Sequence, residues 1–249
     1  MSLRVANGFW NKVGEQPFRV LLVSLILMLL LSPSITVLAR LGPVFTGMNL
    51  LAPLSLVVIA ASALTLWKRA RHHAWHMVAT GFVIATLMLG GVIDHQSFPI
   101  AQLIIQILFL GRVIQVVVKS VFSAKEVTSD VLCGAICVYL LTGLLAGLVF
   151  VLIEFLAPGS FRLVDITNPA LRSQDVLLKD PGWLIYFSFV TLTTVGYGDM
   201  VPNSSMARSA AVTVAVLGQI LLVVQIARLV GMHVAQSTPS RSDRDEPDK

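Results

Sequence analysis

Charge is scarce in this sequence. Of its 249 residues, 12% are Asp, Glu, Lys or Arg, against about a quarter in a soluble domain. A chain so poor in charge cannot cover a water-facing surface, which excludes an ordinary soluble enzyme or binding module. Cysteine is nearly missing as well. Cys133 and Cys137 are too few for a zinc site or a disulfide framework. Four apart on an apolar stretch, they share a helix face as small packed or lipid-facing residues. No internal repeat is visible, and no catalytic constellation, so no enzyme activity is expected. Long polar stretches are also lacking. The polar run after Ala235, "QSTPSRSDRDEPDK", reads as disordered and is far too short for a folded ligand-binding domain.

What is present is apolar. Hydrophobic residues make up 56% of the chain and the mean hydropathy is +0.84, which places it among integral membrane proteins. The net charge of +5 is no nucleic-acid footprint, because the basic residues cluster between apolar runs. Six runs approach the roughly 20 residues a helix needs to cross the hydrocarbon: residues 20–39, 50–67, 77–93, 100–118, 131–156 and 207–232. The first has basic residues before it and "VLA" before Arg40, as a signal peptide would. Its long leader and its continuation past Pro33 read instead as a retained span.

Lys and Arg in short loops set orientation. Arg4, Lys12 and Arg19 precede span one; Lys68, Arg69 and Arg71 follow span two; Lys119 and Lys125 follow span four. The opposite loops hold Arg40 and, after span three, no basic residue. Both termini are therefore expected inside, and residues 157–205 outside.

Between spans five and six lies "DPGWLIYFSFVTLTTVGYGDMVP". Asp180 suits a helix N-cap and Pro181 a first helical residue. The apolar "GWLIYFSFVTL" then lasts about three turns, roughly 17 Å. That is too short to cross a bilayer, but it can enter and stop. Gly196 and Gly198 next permit backbone angles that other residues avoid. Irregular backbone at membrane depth survives only where protein buries it or where it lines a water-filled path. The expected structure is a re-entrant helix followed by an irregular strand returning to the outer face. Alternating backbone conformations would point the carbonyls of Thr194, Val195, Gly196 and Tyr197 one way, with the Thr194 hydroxyl adding an oxygen. Val195 and Tyr197 side chains would turn back into packing. Several such strands around one axis would replace a cation's water shell, and the negative end of the short helix would favour that cation. With one such segment per chain, assembly of several copies is required.

The stretch 191–202, "TLTTVGYGDMVP", resembles the selectivity filter of the potassium channels, whose four TVGYG loops bind K⁺ through carbonyl oxygens. The resemblance extends over residues 131–234, including "GQILLVVQIARLVG". It implies a homotetramer with Thr194, Val195, Gly196, Tyr197 and Gly198 lining the axis, K⁺ as the permeant ion and no cofactor. It also implies a water-filled cavity below the filter and a gate at the inner end of span six. One departure stands out. Many members carry a Trp pair in the pore helix where this chain has Tyr186 and Phe187, so the Trp N–H that often bonds the acid after the filter, here Asp199, is missing.

Other residues have two readings. Span four resembles a voltage sensor, but it holds Arg112 alone with Lys119 at its inner end. Arg112 is either one gating charge or a structural residue, snorkelling or paired with Asp94 or Glu154. His72, His73 and His76 beside Lys68, Arg69 and Arg71 form either a proton sensor or a basic face meeting anionic lipid. Glu154 either supports the filter from behind or reaches the interface. Gly218 is either a gating hinge or a small residue for close packing. Gln219 and Gln225 should face protein or the cavity.

The expected fold class is an all-α membrane protein, with six transmembrane helices plus a re-entrant pore helix and filter loop. Its parts are a cytoplasmic segment 1–19, a four-span sensor-like domain 20–125, a pore domain 126–234 and a tail 235–249. The expected function is passive, weakly or non-voltage-gated K⁺ conduction, with membrane lipid and three further copies as partners. The alternatives are a potassium uptake transporter subunit or a non-conducting regulatory subunit. The lack of eukaryote-style cytosolic domains suggests a bacterial inner membrane.

Overall fold

The computed structural model describes residues 16–39, 98–124, 126, 128–164, 177 and 180–237. In chain order these form α1 (Pro17–Ala39), α2 (Phe98–Phe122), α3 (Ser129–Leu156), β1 (Phe161–Leu163), α4 (Gly182–Leu192), β2 (Met200–Pro202) and α5 (Ser205–Ser237). Three stretches are long and apolar enough to cross a membrane: Ile100–Phe122, Ser129–Leu156 and Ser205–Val234. The protein is thus a mainly helical, multi-pass membrane protein. The spans expected at 50–67 and 77–93, and the His72 cluster between them, lie outside the described residues.

Local chemistry explains where these helices begin and end. Thr128 caps α3, its Oγ1 accepting the Val131 N–H at 3.3 Å. Pro17 opens α1 and has no N–H to satisfy. The next two amides, of Phe18 and Arg19, both donate to Asp130 Oδ1 at 3.1 Å. A carboxylate of α3 therefore sits at the positive end of α1. The negative end of α2 is met in the converse way. Arg228 of α5 donates to the carbonyls of Val121 (2.6 Å), Phe122 (2.7 Å) and Ala124 (3.3 Å). Its guanidinium lies 4.5 Å from the centre of the Phe122 ring. Carbonyls that a helix C-terminus leaves without partners are so satisfied by a cation from another helix.

The centre of the molecule is α3, which packs against α1, α2, α4 and α5. Leu141, Leu144, Leu148 and Phe150 on it are fully buried, facing Leu21, Leu25, Leu103, Leu110 and Leu184 within one apolar core. Gly134 makes room for two neighbours at once: a Cβ there would lie 2.8 Å from Val121 and 3.1 Å from the Phe18 ring. Cys137 is buried beside them, its thiol 3.6 Å from the Phe18 carbonyl, as a packed residue.

Candidate functional site

The short helix α4 ends where the glycine-bearing strand begins. At its start, the Gly182 N–H donates to Asp180 Oδ1 at 3.1 Å, and the helix proper opens at Gly182. At its end the chain reverses, and the first amides of the strand turn back onto the helix. Thr193 N–H and Oγ1 both donate to Phe189 O, at 2.9 and 2.7 Å. Thr194 N–H reaches Thr191 O at 3.1 Å, and the amides of Val195 and Gly196 reach Val190 O at 3.0 and 3.4 Å. Donors are thus spent on one side of the strand. Among the described residues, the carbonyls of Thr194, Val195, Gly196 and Tyr197 receive no hydrogen bond.

Backbone angles alternate along the strand. Thr194, Gly196 and Gly198 have φ of 59°, 58° and 79°, while Val195 and Tyr197 between them do not take positive φ. For Thr194, a β-branched residue, the left-handed region costs about 1–2 kcal/mol. Strain of this kind persists where surrounding structure over-determines it and concentrates at functional sites.

That surrounding structure comes largely from one stripe of α3. Tyr139 Oη donates to Leu192 O at 3.1 Å. One turn on, Gly143 O accepts Ser188 Oγ at 2.8 Å, and a Cβ at Gly143 would meet the Phe189 ring at 2.5 Å. At Gly147 a Cβ would lie 3.0 Å from the Ile185 backbone. Gly143 and Gly147, four apart, thus bring α4 close to α3 in the small-xxx-small manner of membrane helices. Phe150 then packs against Phe161 and Phe187, with ring centres 5.3 and 5.4 Å away. The stripe ends in Glu154, fully buried, whose carboxylate accepts the amides of Gly159 (2.7 Å) and Phe161 (3.0 Å).

The strand's outer end is held by β1 and β2, an antiparallel pair in which Phe161, Arg162 and Leu163 face Pro202, Val201 and Met200. The Val164 N–H extends the pairing to Asp199 O at 2.6 Å, and Asn203 N–H donates to Ser160 O at 2.7 Å.

An ion channel family model matches residues 128–234. Over 38 residues the chain is 53% identical to the two-pore potassium channel 1 of Arabidopsis thaliana, covering 15% of this chain and 10% of that relative's length. Residues 128–234 thus resemble an ion channel domain. No solved structure matches.

In this channel domain the candidate residues divide into groups. Thr194, Val195, Gly196, Tyr197 and Gly198 form the strand itself. Tyr197 lies parallel to Tyr186, interplanar angle 3° and centres 6.5 Å apart, yet 70% of it is exposed in one chain, as is 50% of Val195. The packing expected of these two side chains is thus not seen within one chain, apart from the Tyr197 ring beside Tyr186. The donor thought missing for Asp199 is supplied by another group: Tyr186 Oη donates to Asp199 Oδ2 at 2.7 Å. Trp183 braces that ring edge-on at 6.3 Å. Phe187, the other residue at the Trp-pair positions, is buried in the aromatic cluster with Phe150 and Phe161.

Glu154 does not touch the strand. It anchors the turn into β1, which in turn pairs with the segment leaving Asp199. Gly218 lies within an unbroken α5, where a Cβ would come 2.5 Å from Leu192 O. Arg112 is exposed and donates to Gln115 Oε1 at 3.0 Å. Glu154 is engaged elsewhere, and Asp94 lies outside the described residues. Gln219 is exposed and Gln225 half-exposed in one chain. Sequence reasoning missed Tyr139, Ser188, Arg228 and the strand pair. The available signal was the Gly143–Gly147 spacing, which marks a face of α3 to which Tyr139 also belongs.

Proposed function

We propose that the protein is a K⁺-selective channel that conducts passively through a homotetrameric pore. The observation that carries this is the alternation of φ at Thr194, Gly196 and Gly198. Backbone alternating between positive and negative φ turns successive carbonyls to the same side, and among the described residues those carbonyls receive no hydrogen bond. Four such strands around an axis present stacked oxygen rings in place of an ion's hydration shell. In this reading α3, α4 and α5 are outer, re-entrant and inner helices of a pore domain at 126–234. Residues 20–125 form a four-span peripheral domain, both termini are cytoplasmic, and the membrane is a bacterial inner membrane. Tyr186 and Asp199 tie the strand's outer end, Glu154 supports it through β1, and Gly218 lets the inner helix lie against the pore helix.

Purified full-length protein in liposomes should pass K⁺ in large preference to Na⁺, and native mass measurement in detergent should give four chains per particle. A stable conducting dimer, or the absence of flux from intact tetramers, would refute the reading.

Gating in this reading depends weakly on voltage. A charge crossing the whole field is worth about 2.3 kcal/mol per 100 mV, so four subunits moving one charge each gain about 9 kcal/mol only if every charge crosses fully. Arg112, exposed and bound to Gln115 one turn away, is the sole basic residue in the middle of α2. Arg112→Gln should therefore change expression or folding more than the slope of open probability against voltage in planar bilayers. Steep voltage activation that this variant abolishes would restore the sensor reading.

A further inference from the structure

We infer that Tyr139 is a positioning residue for the inner end of the ion path, and that the inner helix acts on the filter through the carbonyl Tyr139 holds. The inference rests on the channel reading above. Leu192 is the last residue of α4, and Thr193 and Thr194 follow it directly. The last four carbonyls of a helix have no partner within it. Three here are taken by the returning strand: Phe189 O by Thr193, Val190 O by Val195 and Gly196, and Thr191 O by Thr194. The fourth, Leu192 O, is served from outside α4, by Tyr139 Oη at 3.1 Å.

On its other side the same oxygen faces α5. Gly218 comes so close that a Cβ would lie 2.5 Å from it. One carbonyl thus touches three helices, two residues before Thr194, which holds φ at +59°. The carbonyl belongs to the Leu192–Thr193 peptide plane, so its direction sets the direction of the Thr193 N–H and of the chain entering the strand. Tyr139 pulls that plane toward α3, and Gly218 walls it in from α5. A displacement of α5 at this level removes the wall and leaves the plane held by the Tyr139 bond alone. The position of the inner helix and the geometry of the strand are therefore linked at one atom.

A hydroxyl that merely satisfied a buried carbonyl would affect assembly, not ion discrimination. The test is therefore read on assembled tetramers of the full chain in liposomes, as the ratio of K⁺ to Na⁺ flux. Tyr139→Phe removes one oxygen and one neutral hydrogen bond in each of four copies, and the ratio should fall about fivefold or more. Thr142→Val is the control. Its hydroxyl lies on the same helix but bonds only Val138 O of that helix, at 2.8 Å, and the ratio should stay at the wild-type value. Tyr139→Phe tetramers with the wild-type ratio overturn the inference, as does an equal fall in Thr142→Val.

If Tyr139→Phe does not assemble, 3-fluorotyrosine at position 139 keeps the ring and strengthens the donor. The ratio should then move about twofold or more, and an unchanged ratio overturns the inference. A wild-type protein without K⁺ preference would overturn the channel reading and this inference with it. A selective wild type indifferent to Tyr139 overturns this inference alone.

Discussion

Alanine at Gly196 or at Gly198 should, on the proposed tetrameric K⁺-channel reading, abolish K⁺-selective flux while leaving assembly intact. The cause is backbone strain, not a clash. A Cβ at either position meets nothing within 4 Å in one chain, but φ stands at +58° and +79°. Holding an ordinary L-residue there costs about 1–2 kcal/mol, so a pore with four copies would carry roughly 4–8 kcal/mol of added strain. The strand relieves it by turning φ negative, which swings a carbonyl off the common side and breaks an oxygen ring. Thr194 already bears such strain at φ +59°, leaving little reserve for more. The measurement is K⁺ and Na⁺ flux from liposomes, with assembly checked by native mass. Two Ala variants that assemble and keep wild-type selectivity would show that the glycines do not shape the ion path.

Glu154→Ala should destabilise the assembled protein by about 3 kcal/mol or more, since two charge-assisted bonds are lost and two amides are left without an acceptor. The carboxylate is fully buried, and its acceptors hold Gly159 and Phe161 at the start of β1. Hydrogen exchange locates the effect. The amides of Gly159 and Phe161 should exchange faster, followed by those of Val164 and Asn203, which bind Asp199 O and Ser160 O across the strand pair. The amides of Thr193 and Thr194, bonded to α4, should change least. Unaltered protection at Gly159 and Phe161 would show that the carboxylate does not anchor this turn.

The long elements were legible because long apolar runs and helix-end chemistry are local signals. Residues 131–156 were expected as a span and appear as Ser129–Leu156; residues 207–232 appear within Ser205–Ser237. Asp180 was expected to cap the short helix with Pro181 as its first residue. The carboxylate does accept the Gly182 amide, but the cap falls on Pro181 and the helix opens one residue later, at Gly182. The strand pair was not legible. Three residues on each side, about 40 apart in sequence, carry no periodicity that a window can detect. The Tyr186–Asp199 bond was hidden for a different reason. Replacement of an indole N–H by a phenol looked like loss of a donor, whereas the ring's position against Trp183 and Tyr197 brings the hydroxyl to the carboxylate. Tyr139 was invisible because an aromatic on an apolar helix reads as packing until the facing carbonyl is known. Arg228 was invisible because the carbonyls it meets lie more than 100 residues away in sequence, and only the fold sets it at the end of α2.

The support for the strand runs along a single helix face, from Tyr139 through Gly143, Gly147 and Phe150 to Glu154, roughly 22 Å of rise at 1.5 Å per residue. One inserted residue anywhere along it would turn everything beyond by about 100° and carry every later support off the face. The helix therefore cannot be lengthened or shortened within this stretch to suit the surrounding lipid. Bilayer hydrocarbon is about 30 Å thick, so adaptation to thicker or thinner membranes falls to the remaining length at the two ends of α3 and to tilt of the whole assembly.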